Sequence, residues 1–233
     1  WAAGAVVAFN PYFLYGNAGY SEPLFLALTC LSFLALFAGR YVLAGALGGL
    51  STATRVVAVA FGFSYLIHVL RRRREQREWS RVLLGLSLVP SGLAAFMLFL
   101  YVRVGDPLAF SHVQIAWNHA PGNPLDQLSA MLGGMPAQTL AGVSTLVAGA
   151  AILGLARARE HEMAAYSIVA TLLPLSVDYV SMPRYVWWQA PVLYALVIGL
   201  ERVRACVPVY VAAGIGFSWF LYAGWFEGAK WTI

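Results

Sequence analysis

Residues 41–70 read YVLAGALGGLSTATRVVAVAFGFSYLIHVL, an apolar stretch flanked by Arg40 and Arg71 and broken by one full charge, Arg55. Both flanking arginines belong to hydrophilic breaks, and such basic breaks mark the cytoplasmic side of membrane proteins. If the two share a side, the stretch between them crosses an even number of times. Two full spans need roughly 40 residues. The stretch is shorter, so it folds as two short spans, Tyr41–Thr54 and Val56–Leu70, or as a re-entrant pair, each covering about 22 Å. Arg55 then stands at their tip, toward the outer side but still at membrane depth. Irregular backbone at that depth is tolerated only where it is buried in protein or lines a wet cavity.

Outward from this stretch the chain keeps the same character. Its 233 residues are 61% hydrophobic and only 11% charged, where soluble domains carry about 25% charged residues. The mean hydropathy is +0.71. Apolar runs near the span of a bilayer recur along the whole length, which gives an all-α, polytopic membrane bundle, a single transmembrane domain over residues 1–233. The net charge of +5 is no nucleic-acid signal. The arginines lie in short breaks between apolar runs, and RRRREQRE (71–78) is an anchor near anionic lipid headgroups. Cys30 and Cys206 fall inside apolar runs and read as small buried hydrophobes. Lysine is confined to Lys230, an arginine-for-lysine bias associated with GC-rich bacterial genes. The chain opens on Trp1 within an apolar run, so a preceding N-terminal portion is expected.

Four breaks carry the basic residues: Arg40, Arg71–Arg81, Arg157–Glu160 and Glu201–Arg204. Placing all four inside satisfies the positive-inside rule and sends the Trp-, Tyr- and Pro-rich breaks outward. The expected helices are Trp1 to about Leu14, Pro23–Ala38, the short pair around Arg55, Val82–Val102 with a kink at Pro90, Gln138–Ala156, Ala164–Val180 with Pro174 inside it, Val186–Leu200 and Val207–Ala223. LAGALGGLS (43–51) offers small-residue surfaces for close helix packing.

Arg55, Arg103, Arg184 and Lys230 break the inside pattern. The three arginines each end an apolar helix on the outer side, near Glu22, Asp106 and Asp178. They serve either as structural ion pairs and snorkelling side chains or as a binding site for an anionic ligand, since a guanidinium fork holds phosphate and keeps its charge. Glu22 has a local explanation as well: Ser21 is a good N-cap, an acid suits the helix N-terminus, and Pro23 fits the first turn. His112 and His119 would share a helix face, but seven residues apart they lack metal-site spacing. His112 reads better as a hydrogen-bonding or acid/base group in a wet loop. His68 and His161 lie near the inner basic clusters. No phosphate-binding loop, nucleophile elbow or dinucleotide fingerprint is present in the sequence, and neither a metal nor a cofactor is expected.

Four segments resemble the PIG-V-type mannosyltransferases. NPYFLYGNAGYSEPLF (10–25) resembles that family's Pro-aromatic run leading to Tyr-Ser/Thr-Glu-x-Leu-Phe. LAGALGGLSTATRVVAV (43–59) resembles its Ala/Gly-rich short helix ending in Ala-x-x-x-Arg. GDPLAFSHVQIAW (105–117) resembles its Gly-Asp-Pro loop, and SMPRYVWWQAPV (181–192) its late Ser-x-Pro-Arg-Tyr segment. The resemblance implies a GT-C type glycosyltransferase of a bacterial plasma membrane, acting on the extracytoplasmic side. Its donor would be a polyprenyl-phosphate sugar, mannose in the family, and its acceptor a glycolipid or glycan hydroxyl. Matched motif positions are Tyr20, Glu22, Arg55, Asp106, His112, Gln114, Arg184 and Tyr185. Arg55 and Arg184 would bind phosphate, Glu22 and Asp106 would be the catalytic or sugar-facing acids, and Tyr20, His112, Gln114 and Tyr185 would contact substrate. The superfamily's main catalytic acid lies after its first helix, which places that base upstream of Trp1 and makes this chain the later portion of a longer protein. A membrane carrier of a small solute or lipid, or a non-catalytic membrane subunit, is the alternative.

Overall fold

Prolines and a run of hydroxyls set where the helices stop. The computed structural model describes residues 1–73, 78–113 and 123–228, and every regular element among them is helical. In chain order these are α1 (Ala2–Ala8), α2 (Leu14–Asn17), α3 (Glu22–Phe37), α4 (Tyr41–Thr54), α5 (Ala60–Arg71), α6 (Trp79–Leu88) and α7 (Ser91–Val104). They continue with α8 (Ala109–His112), α9 (Pro124–Ala130), α10 (Pro136–Arg157), α11 (His161–Leu175), α12 (Met182–Trp187), α13 (Ala190–Arg202) and α14 (Val207–Phe226). A 3-10 turn, Val56–Val59, leads into α5.

The pair around Arg55 forms as expected. α4 ends at Thr54, where Thr52 and Thr54 hydroxyls bond the carbonyls of Gly49 (2.8 Å) and Ser51 (2.7 Å). Such local bonds compete with helix continuation. Arg55 is extended (φ −151°, ψ 131°) and separates the two helices.

Pro90 also does what its chemistry dictates. α6 and α7 meet there at 41°. The Thr52 hydroxyl fills the gap, 3.0 Å from the Val89 carbonyl and 3.2 Å from the Leu93 amide that would otherwise bond each other.

Three expected boundaries and one expected burial are corrected. α11 ends at Leu175 rather than Val180. The first helix stops at Ala8 rather than near Leu14, because Asn10 and Pro11 turn the chain. The helix expected over Val186–Leu200 is two helices, broken at Trp188 and Gln189. Pro191 has no N–H for the Trp187 carbonyl, and the Asn10 amide donates to that carbonyl instead, at 2.6 Å. Cys30 and Cys206 are exposed on the outside of the bundle rather than buried.

Two apolar clusters make the interior. One joins α3, α4, α5, α6 and α11 around Phe33, Phe61, Tyr65 and Tyr166. The other joins α1, α2, α10, α12, α13 and α14 around Tyr12, Trp187, Trp188 and Leu193. α3 serves both, Phe25 facing the first and Leu26 the second, and α11 does the same with Tyr166 and Leu175.

The interior also holds Glu22, His68, Glu162, Gln189 and several hydroxyls, while Leu34, Leu98, Leu146, Trp219 and Phe226 are more than 60% exposed. Large apolar side chains spread over the exterior make a surface suited to lipid or a partner rather than to water. α10 and the Arg204–Phe226 segment are long and apolar enough to cross a membrane, and the bent α6–α7 pair is a third if it is one span.

α4 approaches α6 and α7 through glycine on both sides. A Cβ on Gly45 would collide with the Gly85 carbonyl, and one on Gly92 with the Gly49 carbonyl. Gly45→Val and Gly92→Val should each destabilise the fold by about 1–3 kcal/mol or more. Gly149→Ala, with open space at its Cβ, should be neutral or gain roughly 0.5–1 kcal/mol of helix preference. Thermal unfolding followed by tryptophan fluorescence in detergent measures the set, and wild-type midpoints for both valine variants would contradict the close approach.

Candidate functional site

The seam between the two clusters carries the charge. Ser21 and Pro23 start α3, which places Glu22 in its first turn. The Phe25 amide bonds the Ser21 carbonyl at 2.9 Å, but the Ser21 side chain does not cap the helix. Glu22 is fully buried. Its Oε1 accepts a hydrogen bond from Arg55 Nη1 and lies 3.1 Å from Arg184 Nε. The local helix-start explanation therefore does not exhaust Glu22, which is the shared counter-ion of two guanidinium groups from opposite halves of the bundle.

Each arginine arrives by a different break. Arg55 sits in the extended link after α4, its amide bonded to Ser51 and its carbonyl to Ala58, both at 3.0 Å. Pro183 stands in the first turn of α12, after Met182, and Arg184 follows it. Tyrosine rings then flank the cations. Arg55 lies over Tyr185, 4.7 Å from the ring centre, and Arg184 lies 5.2 Å from Tyr20 and 5.7 Å from both Tyr15 and Tyr185. Partly buried cation–π contacts of this kind add about 0.5–2 kcal/mol each.

Beside them opens a cavity of about 710 Å³, within the usual range for small-molecule sites. Tyr20, Ser21, Thr54, Arg55, Asp178, Ser181, Arg184 and Tyr185 give it a polar wall, and Val56, Phe110, Leu173, Pro174 and Val177 an apolar one. Arg184 Nε is committed to Glu22 Oε1, and Glu22 Oε2 is buried without a hydrogen-bond partner among the described residues. Guanidinium groups with donors to spare, facing hydroxyls and an oily wall, can hold an anionic group attached to an apolar chain.

Of the residues expected from sequence, Tyr20, Arg55, Arg184 and Tyr185 line this cavity, and Glu22 lies beneath them rather than on its wall. Asp106 and His112 stand on the loop whose Phe110 and Ser111 close one side. Asp106 Oδ2 is 2.6 Å from His112 Nδ1, and its Oδ1 accepts from the Leu108 amide at 2.9 Å. The His112 hydrogen bond, with the Leu108 amide, holds the Asp106 carboxyl below the ordinary range. Arg103 does not join the cluster. It is exposed and packs on Phe99, 5.8 Å from the ring centre. Gln114, His119 and Lys230 lie outside the described residues. The site also recruits Thr54, Ser181 and Asp178, and sequence distance to Arg55 and Arg184 was the only signal for the first two. Among the described residues, no three His, Cys, Asp or Glu side chains converge as metal ligands.

Comparison with protein-family models, with curated proteins and with solved structures returns no match for this chain.

Two predictions follow from the geometry. Removing the shared carboxylate leaves two partly buried cations unmatched, so Glu22→Ala should cost about 3–5 kcal/mol. The double variant Glu22→Ala/Arg55→Leu should recover part of that loss. Chemical unfolding of wild type, Glu22→Ala, Arg55→Leu and the double variant decides, and additive losses would mean the pair is not coupled. Asp106 has a folded pKa below its unfolded one, so its contribution is complete above the ordinary carboxylate range and fades as pH falls through its lowered folded value. The protection factor of the Leu108 amide, its exchange relative to the unstructured rate at the same pH, should therefore fall on acidification in wild type and already be low in Asp106→Ala.

Proposed function

We propose that this chain belongs to a membrane glycosyltransferase that moves a sugar, mannose by the family resemblance, from a polyprenyl-phosphate donor to an acceptor hydroxyl on the extracytoplasmic side. The observation that carries the reading is the Arg55–Glu22–Arg184 cluster opening into a half-polar, half-apolar cavity. Phosphate oxygens would take the free guanidinium donors, and Tyr20, Tyr185 and the hydroxyls of Ser21, Thr54 and Ser181 would meet the sugar. The apolar wall of Val56, Leu173 and Val177 would receive the start of the lipid chain.

In this reading the acceptor oxygen attacks the anomeric carbon as the bond from that carbon to the phosphate oxygen breaks. The electron pair leaves with polyprenyl phosphate, whose developing charge the arginines stabilise. The acceptor proton passes to a carboxylate base. Glu22 is a positioning residue here, since it holds both arginines and does not reach the cavity wall. Asp106 orients His112 beside the cavity, where an imidazole can bind the acceptor or relay its proton.

A carrier is the second reading, because another arginine-lined cavity lies at the far ends of α3, α5 and α11. Phe33, Phe61 and Tyr166, each no more than 3% exposed, pack edge to face in the core of that half of the bundle, and a dry aromatic core favours the enzyme.

The test is transfer from radiolabelled polyprenyl-phosphate mannose in membranes containing the full-length protein. Arg184→Ala and Arg55→Ala should lower transfer by roughly 10²–10³ while protein levels in the membrane stay comparable. Glu22→Ala/Arg55→Leu should be folded and inactive. Undiminished transfer in both single variants would remove the phosphate role, and substrate uptake into sealed vesicles without transfer would favour the carrier.

A further inference from the structure

The second cavity, of about 340 Å³, is formed where the opposite ends of the same helices meet. Phe37 from the end of α3, His68, Arg71 and Arg72 from the end of α5, and Arg159, Glu160 and Glu162 from the α10–α11 turn line it. α3 runs from the first cavity to this one, so about 22 Å separates them at the rise of an α-helix. Sugar transfer as proposed above makes no use of these residues.

Glu162 is already engaged. Arg71 Nη1 donates to its Oε2 at 2.9 Å, and His68 Nδ1 lies 3.3 Å from its Oε1. Arg72 and Arg159 have no ion-pair partner among the described residues. His68 is 1% exposed and lines the cavity, yet its Nε2 has no hydrogen-bond partner among the described residues. His68 Nδ1 faces the Glu162 carboxylate and Nε2 is enclosed by protein, so the ring braces Glu162, while the two guanidinium groups without an ion-pair partner among the described residues are what call for an anion.

Arg159 adds an independent sign. It is the one non-glycine residue with positive φ, at 63°, among the described residues. The α3–α4 turn has the same hydrogen bonds, Arg40 N–H to the Ala35 carbonyl at 2.8 Å against Glu160 N–H to Leu155 at 2.9 Å, and there Gly39 takes the position at φ 71°. Glycine fits that conformation without the steric penalty an arginine meets. An arginine in the glycine position brings a cation to the cavity rim.

We propose that the cavity between the end of α5 and the start of α11 binds a phosphate group through Arg72 and Arg159. An anionic phospholipid headgroup and free inorganic phosphate offer the same oxygens. Phe37 and the apolar exterior favour the headgroup, and the surrounding arginines raise the local concentration of either.

The experiment uses the full-length protein in phosphatidylcholine nanodiscs, titrated with dioleoylphosphatidylglycerol, and separately in detergent with inorganic phosphate. Native mass spectrometry counts bound lipid, and the thermal midpoint reports phosphate. Wild type should bind saturably. Arg72→Gln and Arg159→Gly should each weaken binding roughly tenfold or more, while Arg202→Gln, an exposed arginine outside the cavity, should bind as wild type does. Arg159→Gly should keep or raise the ligand-free midpoint, so lost binding is not lost folding. Saturation by the lipid alone identifies a headgroup site, and saturation by both identifies the phosphate group itself. No saturable binding of either probe, full binding in the Arg72 and Arg159 variants, or an equal loss in Arg202→Gln overturns the proposal. None of these readouts depends on sugar transfer.

Discussion

A fully buried carboxylate is tolerable only with its charge matched, and Glu22 is matched from two directions at once. Arg55 reaches it from the link between α4 and α5, and Arg184 from the start of α12. Each guanidinium belongs to a different apolar cluster, so the ion triad fastens the two halves of the bundle at one end. The attraction is strong because little water screens it, and the same dryness makes loss of any member expensive. A site assembled this way is rigid before any ligand arrives. Its arginines need no reorganisation to present their remaining donors.

The helices that deliver these groups are shaped by breaks rather than by length. Pro90 bends α6 against α7, and the Thr52 hydroxyl satisfies the backbone that the bend exposes. Pro191 frees the Trp187 carbonyl, and Asn10 takes it. In both places a residue distant in sequence supplies the missing hydrogen bond, so irregular backbone inside the bundle stays paired. Glycine at Gly45, Gly85, Gly49 and Gly92 lets α4 press against α6 and α7. That close fit holds the link bearing Arg55 in place. The outside is free to be apolar because the polar work is done within.

The sequence carried much of this in plain form. The distance between Arg40 and Arg71 forced a short helix pair with Arg55 at its tip, and α4 runs over Tyr41–Thr54 as that arithmetic requires. Arg55 and Arg184 stood out because they broke the pattern of basic residues, and they converge. Arg103 broke the same pattern and stays apart on Phe99, since charge placement along a chain says nothing of lateral position. Glu22 was legible as a helix start and as an acid near the level of the outer arginines, but not as the shared counter-ion of Arg55 and Arg184, which lie far from it in the chain. Asn10 and Trp187 are farther apart still, and neither propensity nor periodicity links them. The second cavity was visible as basic breaks, but a count of arginines does not reveal that Glu162 ties up Arg71 and His68 while Arg72 and Arg159 have no ion-pair partner among the described residues. The broken helix at Trp188 was signalled by Pro191, which an apolar-run reading passed over.

Whether the triad grips a lipid phosphate is most directly read from the phosphorus nucleus itself. The ³¹P NMR spectrum of polyprenyl phosphate in nanodiscs containing the full-length protein should show a bound resonance, in slow or intermediate exchange, that disappears with Arg184→Gln and persists with Arg103→Gln. A spectrum indifferent to the protein, or one whose bound resonance survives Arg184→Gln unchanged, would contradict the account.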